Sequence, residues 1–322
     1  MEAIKKYIST VIIKDELYRG KKKLQKFFVS LFIGIIMFGM SFIILSPLIS
    51  IFFKSVMDIQ DFYNPLIYLI PENFTLSNIT TAFEQLQYVN TLGFTFLFCG
   101  SMMLIQAFVC SLVGYGFARY KFPGSNILFS LVILTIVVPT QTIMVPLYTQ
   151  FRYFDFLGLA TLFGGNTLNL MNSTLPTTVM TATGLGLRSG LFIYIFRQFY
   201  KGLPKEIEEA AYIDGASPLY TYFVIMLPNA KPALLTVMLF SFVWQYNDMF
   251  YSALFMNNMS LISIKITSLV PLLSQGLNIL DRNLVSLILN AGVLLTILPL
   301  IIIYLFLQKF FVQGIERSGI VG

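Results

Sequence analysis

Three groups of residues in this sequence could do chemistry, and each interrupts or separates apolar runs. Arg188 stands inside the apolar stretch 178–199. A charge within a membrane is costly and normally faces a protein or water-filled interior, so Arg188 reads as a cavity or gate residue. Trp244, Gln245, Tyr246, Asn247 and Asp248 stand together in a second apolar stretch, 233–256. Aromatic rings stack on sugar faces, and amides and carboxylates hydrogen-bond hydroxyls. The same five side chains could instead pack against a neighbouring membrane helix. The third group is the segment 206–232, EIEEAAYIDGASPLYTYFVIMLPNAKP, the most polar long stretch between two strongly apolar ones.

Catalysis has no footing in these residues. The sequence contains no G-x-x-x-x-G-K-[ST] loop, no nucleophile elbow and no H-E-x-x-H. It contains no His, the usual proton shuttle and commonest metal ligand. Its two cysteines, Cys99 and Cys110, share one apolar run. Eleven residues of helix would separate them by about 16 Å, too far to bridge within that helix.

The elements that position these groups are membrane helices. Of the 322 residues, 57% are hydrophobic and 11% charged, against about 25% charged in soluble domains. Mean hydropathy is +0.78. Apolar runs predict six spans, at 27–53, 89–117, 127–149, 178–199, 233–256 and 284–312, behind a basic segment 1–26. The first run is too long for a signal peptide. Residues 54–87, 151–177 and 257–283 read as loops on one side, with Ser77 as a helix N-cap. If the N-terminus is cytoplasmic, 16 of the 21 Lys and Arg residues lie inside and four outside, with Arg188 left in the fourth span. That bias puts both termini and the segment 200–232 in the cytoplasm. It also explains the net charge of +6 without nucleic acid. Arg188 precedes Arg197 by nine residues, so a continuous fourth helix would carry it about 13.5 Å deeper. A helix starting after Gly190 would leave it near the outer interface instead.

Local signals in 206–232 read as two short helices with a stop between them. Pro204 suits a first turn, and Glu206, Glu208 and Glu209 face the positive end of a helix dipole. Gly215 suits the left-handed residue after a helix, Ser217 and Pro218 restart one, and Pro228 and Pro232 end the second.

Glu209-Ala210-Ala211, then Gly215 after three residues, then Ile225-x-Leu227-Pro228 after nine, match a family pattern. Asp214 and Ala216 complete its fuller form, E-A-A-x-x-D-G-A. On these residues the segment resembles the coupling loop of ABC-importer permease subunits of the maltose/oligosaccharide type. The end of the chain, Phe306-Leu307-Gln308-Lys309-Phe310-Phe311-Val312-Gln313-Gly314, is similar to that family too. The resemblance covers residues 27–322.

The resemblance implies an all-α membrane protein with six transmembrane helices and a cytoplasmic helix-turn-helix coupling loop, the type I importer permease fold. It implies that Glu209, Ala210, Ala211, Asp214, Gly215, Ala216, Ile225, Leu227 and Pro228 couple to an ATPase. The alanines would allow close approach, and Glu209 and Asp214 would pair with donors. The implied partners are a second homologous permease, two ATP-binding cassette ATPase subunits and an extracellular or periplasmic solute-binding protein. ATP and Mg would be bound by the ATPases, with no cofactor in this chain. The substrate would be carbohydrate, and the location a bacterial cytoplasmic membrane. The chain departs from the W-N-D cluster frequent in sugar permeases by inserting Gln245 and Tyr246, and its tail is short. Two other readings remain open: the same architecture carrying a non-sugar solute, and an ion-coupled carrier. The latter calls for paired intramembrane ionisable groups or internal repeats, and the sequence shows one such Arg and no repeat.

Overall fold

The computed structural model describes residues 2–155, 158–162 and 165–319. The side chains of residues 2–21, 23, 160 and 309–319 lie outside the description, and with them most of the basic N-terminal cluster and the end of the C-terminal resemblance. The chain divides into two units, 1–75 and 76–322.

In the first unit, helix α1 (Glu2–Ser55) is continuous and extends the expected span into the basic segment. Its apolar part, Leu24–Ser55, has none of its most apolar window buried by the protein. Such all-round exposure suits a lipid-facing helix. A short loop follows and closes on itself. The Asp58 carboxylate accepts from the Gln60 N–H at 2.9 Å and starts α2 (Ile59–Tyr63). Asp61 accepts from the Asn73 backbone N–H at 2.6 Å and from its side-chain amide at 2.7 Å.

The second unit is built around α4 (Tyr88–Arg119), preceded by α3 (Ser77–Gln85). Ser77 is the first helical residue, not the cap; Leu76 holds that position without a side-chain hydrogen bond. The expected third span is broken into α5 (Ser125–Val137), a 3-10 turn (Thr140–Ile143) and α6 (Met144–Arg152), bent by 102°. Val138 takes an extended conformation, as a residue before proline prefers, and Pro139 has no N–H to continue the helix.

After the short α7 (Leu159–Leu162), the expected fourth span is also broken, into α8 (Leu175–Ala182) and α9 (Ser189–Gly202). Gly184, at φ +77°, ends α8. Its N–H reaches the Thr181 carbonyl at 3.2 Å and the Leu185 N–H reaches Met180 at 2.8 Å, the two bonds of a Schellman stop.

The chain then forms α10 (Glu206–Ile213), α11 (Pro218–Tyr220), a π-helical turn (Thr221–Met226) and α12 (Leu227–Asn229). The expected fifth span stops at the end of α13 (Lys231–Asn247), and α14 (Phe250–Phe255) follows. The expected third loop is instead helical, with α15 (Ile262–Pro271) and a π-turn (Leu272–Gly276) burying Ile262, Leu269 and Leu273 before α16 (Arg282–Gly319). Among the described residues, three helices are long and apolar enough to cross a membrane alone, or up to five if each of two bent pairs is one span.

Close approach fixes how α4 sits. A Cβ at Gly114 would stand 2.6 Å from the Phe196 Cβ and 3.1 Å from the Ile193 carbonyl oxygen, so α4 and α9 touch through backbone. A Cβ at Gly190 would collide with Thr135 and come within 2.8 Å of the Val132 carbonyl oxygen, so α9 and α5 meet the same way. Gln106, buried in α4, donates to the Leu187 carbonyl at 2.6 Å and to Ser189 Oγ at 2.9 Å. It accepts from Ser241 Oγ at 2.5 Å. One amide thus ties α4 to α9 and α13, and to the link between α8 and α9.

Candidate functional site

The polar segment folds as a helix pair under local control. Gly215, at φ +81°, takes the left-handed conformation. Its N–H donates to the Tyr212 carbonyl at 3.1 Å, and the Ala216 N–H donates to Ala211 at 2.9 Å. These are again the two bonds of a Schellman stop. Ser217 Oγ then accepts from the Tyr220 N–H at 3.3 Å and Pro218 opens the second helix. That helix runs on through Pro228, which therefore does not end it as expected. The chain bends by 77° between Pro218–Asn229 and α13, and Pro232 lies in the first turn of α13.

The predicted coupling residues divide by face. Glu209, Ala210, Asp214, Gly215 and Pro228 are exposed, Ala216, Ile225 and Leu227 half-buried, and Ala211 buried. Ala211 thus faces this chain's own interior, where the sequence reading expected partner contact. Exposed Ile213, Leu219, Tyr220, Phe223 and Val224 give the loop an apolar outer surface.

The inner face holds residues that sequence reasoning missed. Glu208, one position before the E-A-A triplet, is buried, and its Oε2 lies 2.8 Å from Arg119 Nε at the end of α4. Arg119 also donates to the Leu203 carbonyl at 2.9 Å. Beside them Tyr115 packs against Tyr120, Tyr200 and Tyr222 with ring centroids 5.1–5.7 Å apart. Ser111 Oγ joins the Tyr200 hydroxyl at 2.8 Å and accepts from the Tyr222 hydroxyl at 3.1 Å. Burial raises the Tyr120 hydroxyl above its ordinary pKa.

Arg188 lies in no continuous helix. It stands at the start of α9 with φ +60°, exposed, so the depth estimated from Arg197 does not apply. Its guanidinium sits 4.7 Å over the Trp244 ring, which packs against Phe192 at 6.0 Å. Arg188 lines a cavity of about 890 Å³ between the broken halves α5 and α6 and the link from α8 to α9. Thr135, Gln141, Gln150, Asp155 and Tyr251 add polar groups to its wall.

Of the 244–248 cluster, Trp244 alone meets Arg188. Tyr246 is buried and donates to the Thr296 carbonyl at 2.8 Å. Gln245 is buried too, and Asn247 donates to Val243 at 2.9 Å along its own helix. The Asp248 carboxylate caps α14, accepting from the Phe250, Tyr251 and Ser252 N–H groups at 2.9–3.3 Å. Asp248 thereby stops the fifth helix early and turns Tyr251 to the cavity.

Comparison with known proteins follows the same lines. Residues 110–317 match the family of binding-protein-dependent transport system inner membrane components. The chain is 31% identical to the arabinooligosaccharides transport system permease protein AraQ of Bacillus subtilis, over 68% of this chain and 69% of that protein. It is 27% identical to the sn-glycerol-3-phosphate transport system permease protein UgpE of Pectobacterium atrosepticum, over 85% and 92%. A crystal structure of a bacterial ABC transporter involved in import of the acidic polysaccharide alginate shares the fold, with a TM-score of 0.65 and 20% identity over 86% of this chain and 94% of that one. The chain therefore belongs to the inner-membrane components of binding-protein-dependent transport systems, and is a multi-pass permease of an ABC importer rather than an enzyme.

Proposed function

We propose that the chain is one of two permease subunits of an ATP-driven carbohydrate importer and forms half of the translocation path. The observation that carries this reading is the two-faced loop 206–229. It turns Glu209, Ala210 and Asp214 outward beside an apolar surface, while Glu208 and Ala211 hold its inner face on the membrane helices. A surface of that kind can dock on a partner and pull on the helices above it. The partner is an ATPase pair that holds ATP and Mg; this chain holds neither. A second homologous permease completes the path and a solute-binding protein delivers the substrate.

The carbohydrate assignment draws support from the D-G-A extension and from the relative named for arabinooligosaccharides. The relative named for sn-glycerol-3-phosphate favours the rival, a non-sugar solute on the same architecture. Both termini and the loop lie in the cytoplasm of a bacterium, on the strength of 16 of 21 Lys and Arg residues. Residues 1–26 are a basic cytoplasmic segment and 27–322 the permease domain, with the coupling loop at 200–232. Arg188 and Trp244, with the wall of the 890 Å³ cavity, belong to the substrate path or its gate.

The test is uptake of labelled oligosaccharides and of labelled glycerol phosphate into vesicles that hold all subunits. Wild type is compared with Glu209→Ala and Gly215→Val. ATP-dependent sugar uptake, lost in the variants while the complex still inserts, is the expected result. Uptake of glycerol phosphate alone moves the assignment to the rival solute, and uptake without the ATPases refutes the coupling reading.

A further inference from the structure

The loop is joined to the membrane helices at one charged contact. Arg119 is the last residue of α4, and Glu208 lies in the first turn of α10. Their side chains are 7% and 9% exposed, and the pair is 2.8 Å apart. A carboxylate and a guanidinium this far out of water hold each other strongly, because neither has solvent to replace its partner. Arg119 also binds the Leu203 carbonyl, at the end of the helix that leads into the loop. One side chain thus grips the loop at two points.

The contact is also incomplete. Glu208 Oε1, the Tyr115 hydroxyl and Arg119 Nε are all buried without an aligned hydrogen bond, so the 2.8 Å contact between Arg119 and Glu208 is an ion pair of imperfect geometry. Tyr115 lies beside Glu208, one helical turn before Arg119 on α4. Buried polar atoms are ordinarily bonded, so three poorly satisfied ones side by side are a feature to be explained. The Tyr115 hydroxyl is within reach of the Glu208 carboxylate as a second donor. Glu208 thus sits between Arg119 and Tyr115, loosely enough bonded for its contacts to tighten or release.

Beyond Arg119 the load path is stiff. α4 has no room to slide against α9 at Gly114, and Arg197 of α9 donates to the Phe117 carbonyl at 3.3 Å. Farther along α4, Gln106 is bonded to the Leu187 carbonyl and to Ser189, the two residues on either side of Arg188. A displacement applied at Glu208 reaches the wall of the cavity through bonded and close-packed contacts.

We propose that Glu208, with Arg119 and Tyr115, is the positioning joint that passes motion of the loop to α4 and so to the Arg188 wall. Exposed Glu209 belongs to docking; buried Glu208 belongs to transmission. The proposal rests on the coupling reading above, and its test separates the two.

The experiment uses the full complex in proteoliposomes and follows three quantities: ATPase subunit retained on purification, ATP hydrolysis and substrate uptake. The variants are Glu208→Gln, Tyr115→Phe, the single reversals Arg119→Glu and Glu208→Arg, and the exchange that combines those two. Glu208→Gln is expected to keep the ATPase bound and hydrolysing while uptake per ATP falls at least tenfold. Tyr115→Phe is expected to lower uptake per ATP severalfold without loss of assembly. The charge exchange should recover part of what either single reversal loses. If uptake and hydrolysis fall together in proportion to the complex recovered, the pair is merely structural and the proposal fails. Unchanged uptake per ATP in Glu208→Gln also overturns it, with the coupling reading intact. If the wild-type chain retains no ATPase, both fall.

Discussion

Gly215 offers a prediction that separates backbone strain from crowding. It sits at φ +81°, and a Cβ there would meet nothing within 4 Å. The cost of any side chain is therefore conformational, about 1–2 kcal/mol for an ordinary L residue in the left-handed region. Since 1.4 kcal/mol is a factor of ten, alanine should open the turn roughly five- to thirtyfold more often. Asparagine tolerates this region and should cost less, whereas β-branched valine should cost most. The turn closes through the Ala216 N–H on the Ala211 carbonyl at 2.9 Å, so hydrogen exchange at Ala216 reads its opening directly. The expected order of protection is Gly, Asn, Ala, Val, and ATP-dependent uptake should follow it. The reasoning is refuted if Asn exchanges as fast as Val, which would mean that space rather than φ governs the site. Unchanged protection in Ala would refute it equally.

Other sites give shorter tests. Gly114→Ala should destabilise the α4–α9 crossing by about 1–3 kcal/mol through overpacking, seen as a lower thermal unfolding temperature in detergent, while Gly116→Ala, with open space around it, should be nearly silent. Gln106→Leu removes three hydrogen bonds from α4 to neighbouring elements; at roughly 0.6 kcal/mol each within a membrane, the loss is about 2 kcal/mol, measurable by steric-trap or denaturant unfolding in bicelles. The Asn73 backbone N–H, and then its side-chain amide, hold the Asp61 carboxyl below its ordinary value of 3.8. A depressed carboxyl stabilises above that value and ceases to as pH falls through the folded-state pKa. The 58–73 contact should therefore persist at neutral pH and release in acid below 3.8, followed by the Asn73 side-chain amide NMR signal, and Asp61→Asn should abolish the transition.

What was legible in the sequence was what local rules govern. Gly215 and Ser217-Pro218 specify a stop and a restart by backbone geometry and capping, and the structure places both there. The long apolar helices Tyr88–Arg119 and Arg282–Gln308 follow from composition alone. The breaks in the third and fourth spans were hidden because hydropathy sums side chains and ignores backbone. The apolar run continues across Pro139 and Gly184 although the helix does not. Asp248 read as a candidate substrate-path or gate residue, yet its three backbone contacts make it a cap; the signal was the acidic residue ahead of a new helix. Glu208 and Glu209 are indistinguishable in type. Successive residues on a helix point about 100° apart, so one meets Arg119 and the other faces solvent, and packing alone decides which. Gln106 and Gly114 could not be singled out by type, because the same helix carries Asn90 and three further glycines, Gly93, Gly100 and Gly116; only packing shows that Gly114 is the one crowded against α9.

The central claim is that the outer face of the loop docks on an ATPase, and single-cysteine crosslinking tests it most directly. Ala210 and Ala211 are adjacent and alike in size, but Ala210 is exposed and Ala211 is 6% exposed. In the assembled complex, Ala210→Cys should crosslink to the ATPase subunit with ATP-dependent yield, and Ala211→Cys should not. Equal crosslinking from both positions, or none from Ala210→Cys in a complex that imports its substrate, would contradict the account.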